Sequence, residues 1–417
     1  MSAPEGPWWR EPTRPQWISF LAAWFGWVLD AFDFTVFLLV MPQIAKEFGV
    51  TITATAWSVT LTLLLRLVGG VVAGAAADRW GRKLPLMISV VWFALCDGAV
   101  AFAPSFTWIL VLRTLFGLGM GAEWASGATL AMENWPARSR GIASGVLQGS
   151  WAIGYLLAAG VTHVVFGHGG NWRMIFLIAA APAILVLPIR IWVPESLPKK
   201  PPPGTAAPKP APLDRGRIAR SLFWGCTIMA LGFSGYYAIT AVYPTLLGKE
   251  LALSPTEVSR LLILFNVGMM AGAVGCGYLA SRWSPAGAII VAALLTLPIL
   301  PVYVGWVPGL LGFGAFFGGM FGGGYAGVTP LLLTSMFPAQ VRARAVGFVY
   351  HVGACFAAFA PPLIATLAEK HGFTFAQAIA LVTAGFQLLL ALTLLLRPRG
   401  SIDAAAPDSP EAAPALH

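Results

Sequence analysis

The sequence predicts an all-α membrane protein with twelve transmembrane helices arranged as two six-helix pseudo-repeat bundles. Three observations carry this prediction. The chain of 417 residues is 58% hydrophobic and only 10% charged. Apolar runs long enough to cross a bilayer recur twelve times, and the second six repeat landmarks of the first. Soluble domains carry about 25% charged residues, so soluble globular, disordered and nucleic-acid-binding classes are excluded. A membrane β-barrel would read as short alternating segments, and none are present.

The elements follow in order. Residues 1–16 are polar and Pro-rich and read as a cytoplasmic N-terminal tail. The apolar run behind them is too long for a cleavable signal. A spanning helix needs about 20 mostly apolar residues. The N-terminal bundle, 17–193, holds such runs at 17–41, 54–76, 84–103, 106–131, 142–165 and 172–193. The C-terminal bundle, 221–396, holds them at 221–246, 258–280, 286–305, 309–333, 345–368 and 374–396. Pro42, Pro104, Pro136, Gly169-Gly170, Pro285, Pro308, Pro338 and Gly372 mark the breaks. Residues 194–220 are rich in Pro, Ala, Lys and Arg and read as a cytoplasmic linker that buries too little apolar surface to fold. Residues 397–417 read as a disordered cytoplasmic tail of similar composition. Cys96, Cys226, Cys276 and Cys355 lie far apart inside apolar runs and read as small core residues rather than as disulfides or metal ligands.

The net charge of +9 marks an orientation, not an acidic partner. With the N-terminus cytoplasmic, nineteen of the 26 Lys and Arg fall on that side of the membrane. Lys46, Arg173, Lys249, Arg260 and Lys370 fall on the other, and Arg66 and Arg113 remain within the spans. Cytoplasmic loops carry the excess of Lys and Arg, so both termini are expected in the cytoplasm.

The halves read as copies. Gly74-x3-Asp78-Arg79-Trp80 recurs as Gly277-x3-Ser281-Arg282-Trp283. Glu133-x2-Pro136-x3-Arg140 recurs as Ser335-x2-Pro338-x3-Arg342, and Pro42…Lys46-Glu47 recurs as Pro244…Lys249-Glu250. Parallel six-span repeats are a secondary-transporter arrangement, with the substrate site at mid-membrane between the halves.

The loop Gly74-Ala-Ala-Ala-Asp78-Arg79-Trp80-Gly81-Arg82-Lys83 resembles the signature between spans two and three of the major facilitator superfamily. Arg113-x3-Gly117-x-Gly119 resembles that superfamily's span-four motif. Three further stretches resemble the bacterial sialate:proton symporter family, which includes lactate and other monocarboxylate permeases. They are Leu29-Asp30-Ala31-Phe32-Asp33-Phe34, Gly119-Met120-Gly121-Ala122-Glu123-Trp124 and Met132-Glu133-Asn134-Trp135-Pro136-Ala137-Arg138-Ser139-Arg140-Gly141. Aromatic-acid:proton symporters share the acidic pair of span one. Eukaryotic lactate permeases carry a polar run before Tyr-Pro-Thr in span seven, where this chain has Tyr236-Tyr237-Ala238-Ile239-Thr240-Ala241 before Tyr243-Pro244-Thr245. The resemblance implies a proton-coupled importer of a small organic anion that works by alternating access in a bacterial inner membrane, as a monomer and without a cofactor.

Ionisable side chains inside spans are costly and are functional candidates. Asp30 and Asp33 sit near the middle of span one on one helical face. Two close carboxyls do not both ionise readily, so one can hold a proton for coupling. Arg66 lies at the depth of Asp30 and is expected to meet a substrate carboxylate, competing with the acids for its charge. A static ion pair is the alternative. Arg113 and Glu123, ten residues apart on span four, are separated by roughly 15 Å along the axis. Each is a proton-coupling candidate or a structural partner of another charge. Asp97, near the end of span three, is expected to reach the interface.

In the C-terminal half Tyr236, Tyr237, Tyr243, Asn266, Tyr325, Tyr350 and His351 are the polar candidates for lining a substrate site, with packing or local hydrogen bonding as the alternative. Gly74, Asp78, Arg79, Gly81, Arg82, Glu133, Arg140, Arg282 and Arg342 are read as an inner gate that latches the halves together. Ser281 lacks the acid of Asp78, so the first copy is expected to dominate. Glycine clusters near 117–121 and 318–324 lie inside spans without a phosphate-binding loop, which excludes an ATP motor and leaves a proton or sodium gradient, or passive transport. A central arginine suits an anion better than the cationic drugs of an antiporter with this architecture. No nucleophile or metal constellation points to an enzyme.

Overall fold

Lipid offers no partner to a peptide N–H or C=O, so a spanning chain satisfies them within each segment. The computed structural model describes residues 7–50, 52–133, 135–180, 192 and 213–397. Among these residues there is no strand. The crossings are α1 (Arg14–Phe48), α2 (Ile52–Trp80), α3 (Lys83–Val100), α4 (Phe106–Glu133) and α5 (Arg140–Gly167). Next comes α6 (Trp172–Ala179), the described start of the sixth run. The second half follows with α7 (Arg215–Glu250), α8 (Pro255–Arg282), α9 (Pro285–Tyr303), α10 (Leu311–Met336), α11 (Arg342–Ala368) and α12 (Phe375–Leu396). Apart from α6, each is long and apolar enough to cross a membrane. Residues 181–191 and 193–212, with the rest of the sixth run and most of the expected linker, lie outside the described residues, as does the tail beyond Arg397.

Several helix bounds differ from the expected ones for local reasons. The Thr13 N–H donates to Gln16 Oε1 at 2.7 Å, and Pro15 sits in the first turn, so α1 begins at Arg14. It runs through Pro42 to Phe48, where Gly49 ends it at φ 63. Pro42 lacks a donor only one and a half turns from the end, which bends a helix without stopping it. Asp214 accepts the Arg217 N–H at 3.0 Å and starts α7 inside the expected linker. A π-turn at Leu246–Glu250 closes α7, and a 3-10 stretch at Gly324–Val328 interrupts α10.

The packing repeats with the sequence. In the first half α1 packs on α5 and α2 on α4; in the second α7 packs on α11 and α8 on α10. Two equivalent seams, α2 on α11 and α8 on α5, join the halves. On the second seam a methyl added at Gly277 would lie 2.1 Å from the Gly141 carbonyl oxygen. Beside it, the Ser144 hydroxyl donates to Gly327 O at 2.6 Å and accepts the Leu331 N–H at 3.1 Å. Overpacking a close crossing costs about 1–3 kcal/mol. Gly277→Ala is therefore expected to lower the melting temperature of the detergent-solubilised protein. Gly275→Ala, two residues away with nothing within 4 Å, should leave it unchanged, and equal melting of both variants would contradict a tight seam.

Candidate substrate cavity and proton sites

The two bundles leave a cavity between them with about 870 Å³ of empty space, part of it open to the surface. Trp27, Arg66, Gln148 and Trp151 form its N-terminal wall, and Phe233, Tyr236, Tyr237, Tyr325 and Tyr350 are prominent on the other. Arg66 comes from α2, whose tight crossing with α4 places it: a methyl at Gly121 would stand 2.0 Å from the Arg66 carbonyl oxygen. The guanidinium touches Asp30 through one contact, Nη2 to Oδ2 at 3.4 Å, and both side chains are buried. Among the described residues, Arg66 Nε and Asp30 Oδ1 have no hydrogen-bond partner. The Arg66 guanidinium carbon lies 5.5 Å from the Trp27 ring centre, 6.0 Å from Trp151 and 5.8 Å from Tyr350. Guanidinium over an aromatic face is favourable, more so when dry. The result is a cation held by rings and loosely by one acid, with donor capacity left over at the cavity wall.

The remaining sequence candidates divide into groups. Tyr236, Tyr237 and Tyr325 line the cavity; the Tyr325 hydroxyl donates to Gly232 O, and the Tyr236 and Tyr237 rings meet edge to face. Tyr243, Asn266 and His351 do not line it. Tyr243 stacks on Tyr303 with ring centres 4.0 Å apart, and Asn266 Nδ2 donates to Leu262 O at 2.9 Å. His351 is wedged in the α2–α11 seam, Nε2 lying 3.3 Å from Gly121 O and the ring beside Gly70.

Glu123 is buried between α4 and α1, where a methyl on Gly26 would lie 2.4 Å from its Oε1; its Oε2 has no hydrogen-bond partner among the described residues. Arg113 pairs not with Glu123 but with Asp97, Nη1 to Oδ1 at 2.8 Å. Asp97 does not reach the interface: it is 0% exposed and faces Asp33. A guanidinium one helix away satisfies it better than a stretched side chain would.

At the cation-rich end the latch candidates converge. Asp78 accepts the Ala343 and Arg344 N–H groups at 3.1 and 3.0 Å, gripping the first turn of α11 across the seam. Gly74 brings α2 close there, since a methyl would meet Arg344 Cα at 2.6 Å. Gly81 turns the chain at φ 97 and lets Arg82 fold back. Arg82 pairs with Asp78 at 2.9 Å and with Glu133 at 3.1 Å, and Glu133 pairs with Arg342 of the other half at 3.1 Å. Arg140 donates to Trp135 O at 2.8 Å, holding its own loop. Arg79 and Arg282 are exposed and lie over Trp80 and Tyr278. These two stand outside the ion-pair cluster.

Trp27, Trp151 and Gln148 are not among the candidates the sequence offers. Gln148 Oε1 accepts from Trp124 Nε1 at 3.4 Å, and Trp124 stacks on Tyr350 of the other half at 3.5 Å and 23°. A lone amide and tryptophans deep in spans, away from the interface where tryptophan concentrates, were the available signals.

Two joined bundles with a charged cavity at mid-depth between them define a secondary transporter. The chain belongs to the Major Facilitator Superfamily, whose sequence profile matches residues 23–309 and 225–417. It is a membrane transporter and not an enzyme. It is 29% identical over 435 residues to the probable 4-methylmuconolactone transporter of Cupriavidus pinatubonensis (strain JMP 134 / LMG 1197), covering 98% of each chain. It is 27% identical to the sialic acid transporter NanX of Escherichia coli (strain K12), over 92% of this chain and 95% of that one. Among solved structures the proton:xylose symporter XylE superposes with a TM-score of 0.72 at 18% identity, covering 91% of this chain and 94% of the other.

Proposed function

We propose that this protein is a proton-coupled symporter importing a small organic anion across a bacterial inner membrane by alternating access, with both termini cytoplasmic. Its cation-rich end then faces the cytoplasm, in keeping with the placement of most of its Lys and Arg. The observation that carries the reading is Arg66, a guanidinium at the cavity wall tied to Asp30 by a single 3.4 Å contact. A substrate carboxylate can take a two-pronged hold on that group, displacing Asp30. The freed acid, buried and without a cation, then takes up a proton. Asp33, Glu123 and Arg113 are the further members of the proton-coupling set, and the latch around Glu133 is the cytoplasmic gate. Of the relatives named above, one is a probable 4-methylmuconolactone transporter and one a sialic acid transporter, and a further relative is the cis,cis-muconate transport protein of Acinetobacter baylyi (strain ATCC 33305 / BD413 / ADP1).

The aromatic lining favours one form of this reading, a flat unsaturated or aromatic acid, over lactate or sialate. Trp27, Trp151, Phe233, Tyr236 and Tyr237 offer ring faces that suit a planar acid. Purified protein in proteoliposomes, with an imposed inward pH gradient, is expected to accumulate labelled muconate, niacin or benzoate more strongly than lactate or sialate. Dissipating the gradient with an ionophore should abolish accumulation. Uptake that ignores the gradient would remove proton coupling, and uptake of none of these acids would remove the organic-anion reading.

A further inference from the structure

Asp97 and Arg113 are buried charges that contact neither the cavity nor the latch. Among the described residues, four carboxyls (Asp30, Asp33, Asp97 and Glu123) are buried in the membrane interior of the first half, against two guanidiniums, Arg66 and Arg113. Each guanidinium takes one acid: Arg66 takes Asp30 at 3.4 Å, and Arg113 takes Asp97 at 2.8 Å. Asp33 and Glu123 are left without a cation, and an isolated buried carboxylate is costly enough that the group neutralises instead.

For Asp33 the neighbours decide how. It is 0% exposed, no N–H or O–H donor among the described residues reaches either of its oxygens, and the carboxyl within hydrogen-bonding reach is that of Asp97. Asp97 Oδ1 is taken by Arg113, and Asp97 Oδ2 has no donor among the described residues, which leaves it open to a proton on Asp33. The charged groups acting on Asp33 are Asp97 on α3, Arg113 on α4 and Asp30 on its own helix. The Arg113 guanidinium lies over Phe37 at 4.7 Å and over Phe116 at 4.1 Å from the ring centres. With one proton the arrangement closes: Asp33 O–H donates to an Asp97 oxygen, and Asp97 accepts from Arg113. Without it, two carboxylates share one cation in a place walled by rings.

We propose that Asp33 and Asp97 share a resident proton, anchored by Arg113, at a site outside the substrate cavity. Its position makes it a proton store distinct from the Asp30–Arg66 pair that a substrate touches. The reading deepens the proposed coupling and rests on it only for the transport consequence; the proton itself can be seen without any substrate.

Infrared spectroscopy of the protein in nanodiscs at neutral pH tests this through the C=O stretch of protonated carboxyls. The wild type is expected to show two such bands, one each from Asp33 and Glu123. Asp33→Asn should remove one band, Glu123→Gln the other. Asp97→Asn should shift the Asp33 band, because its acceptor is no longer a carboxylate. An asparagine amide donates as a protonated acid does, so Asp33→Asn is expected to keep the fold, checked by thermal melting. If Asp97→Asn fails to fold because Arg113 is stranded, the double variant Asp97→Asn, Arg113→Gln takes its place. An Asp33→Asn spectrum that keeps both bands overturns the proposal, and so does a band indifferent to the Asp97 substitution. Failure of pH-driven organic-anion uptake with the bands intact would count against the proposed function alone.

Discussion

Arg66→Gln is expected to reduce uptake of the organic-acid substrate by roughly a hundredfold at subsaturating concentration. Truncating one member of a buried, hydrogen-bonded charge pair costs about 2–5 kcal/mol, and about 3 kcal/mol corresponds to roughly a hundredfold. The loss falls on binding, because the cavity's other named walls are rings and amides that cannot replace a guanidinium. Arg66→Lys keeps the charge but not the planar fork, and an intermediate loss of about tenfold is expected. The protein should still fold, since Asp30 is then free to neutralise by taking a proton. Binding isotherms on purified protein separate the two effects: a substrate affinity unchanged in Arg66→Gln would show that the guanidinium is only structural.

Glu133→Gln is expected to release the latch. Glu133 is the acid shared by Arg82 of its own half and Arg342 of the other. Neutralising it removes both pairs and leaves two guanidiniums side by side. All three side chains are mostly buried, so solvent screens little of the effect. A loss of about 2 kcal/mol of closing free energy would change the open-to-closed ratio by roughly thirtyfold. The exposed positions Arg79 and Arg282 lie in different halves at this end and suit spin labels introduced as Arg79→Cys and Arg282→Cys. The distance distribution between them should gain a longer component in Glu133→Gln. An unchanged distribution would show that the Asp78 contacts with Ala343 and Arg344 hold the end shut by themselves.

The twelve-run architecture was legible because bilayer thickness sets helix length so strictly that a count of apolar runs becomes a count of crossings. The meeting of Arg66 with Asp30 was legible for a related reason: rise per residue fixes depth, and the two residues share it. What depth cannot give is direction around the helix axis. These spans are apolar on every side, so no amphipathic stripe reports which way a residue points. Depth alone therefore puts Asp97 at the interface although it turns inward to Arg113, while Tyr243, Asn266 and His351 have the right chemistry but face helix contacts instead of the cavity. Trp27 and Trp151 escape the sequence for the complementary reason, that an apolar ring in an apolar span carries no contrast. Helix ends depended on single hydrogen bonds, those of Gln16 and Asp214, which composition does not register.

The buried charges are divided unevenly. Among the described residues, every carboxyl and guanidinium buried at mid-membrane belongs to the first half, whereas the cavity wall of the second half is neutral, built from side chains such as Met229, Phe233, Tyr236, Tyr237 and Tyr325. Selection can act on such walls separately. Exchanging one uncharged ring or thioether for another reshapes the recognition surface by small steps and leaves each ion pair intact. A lineage built this way can change the compounds it takes up by drift in α7 and α10, while α1 to α4, where a single substitution strands a charge, stay fixed.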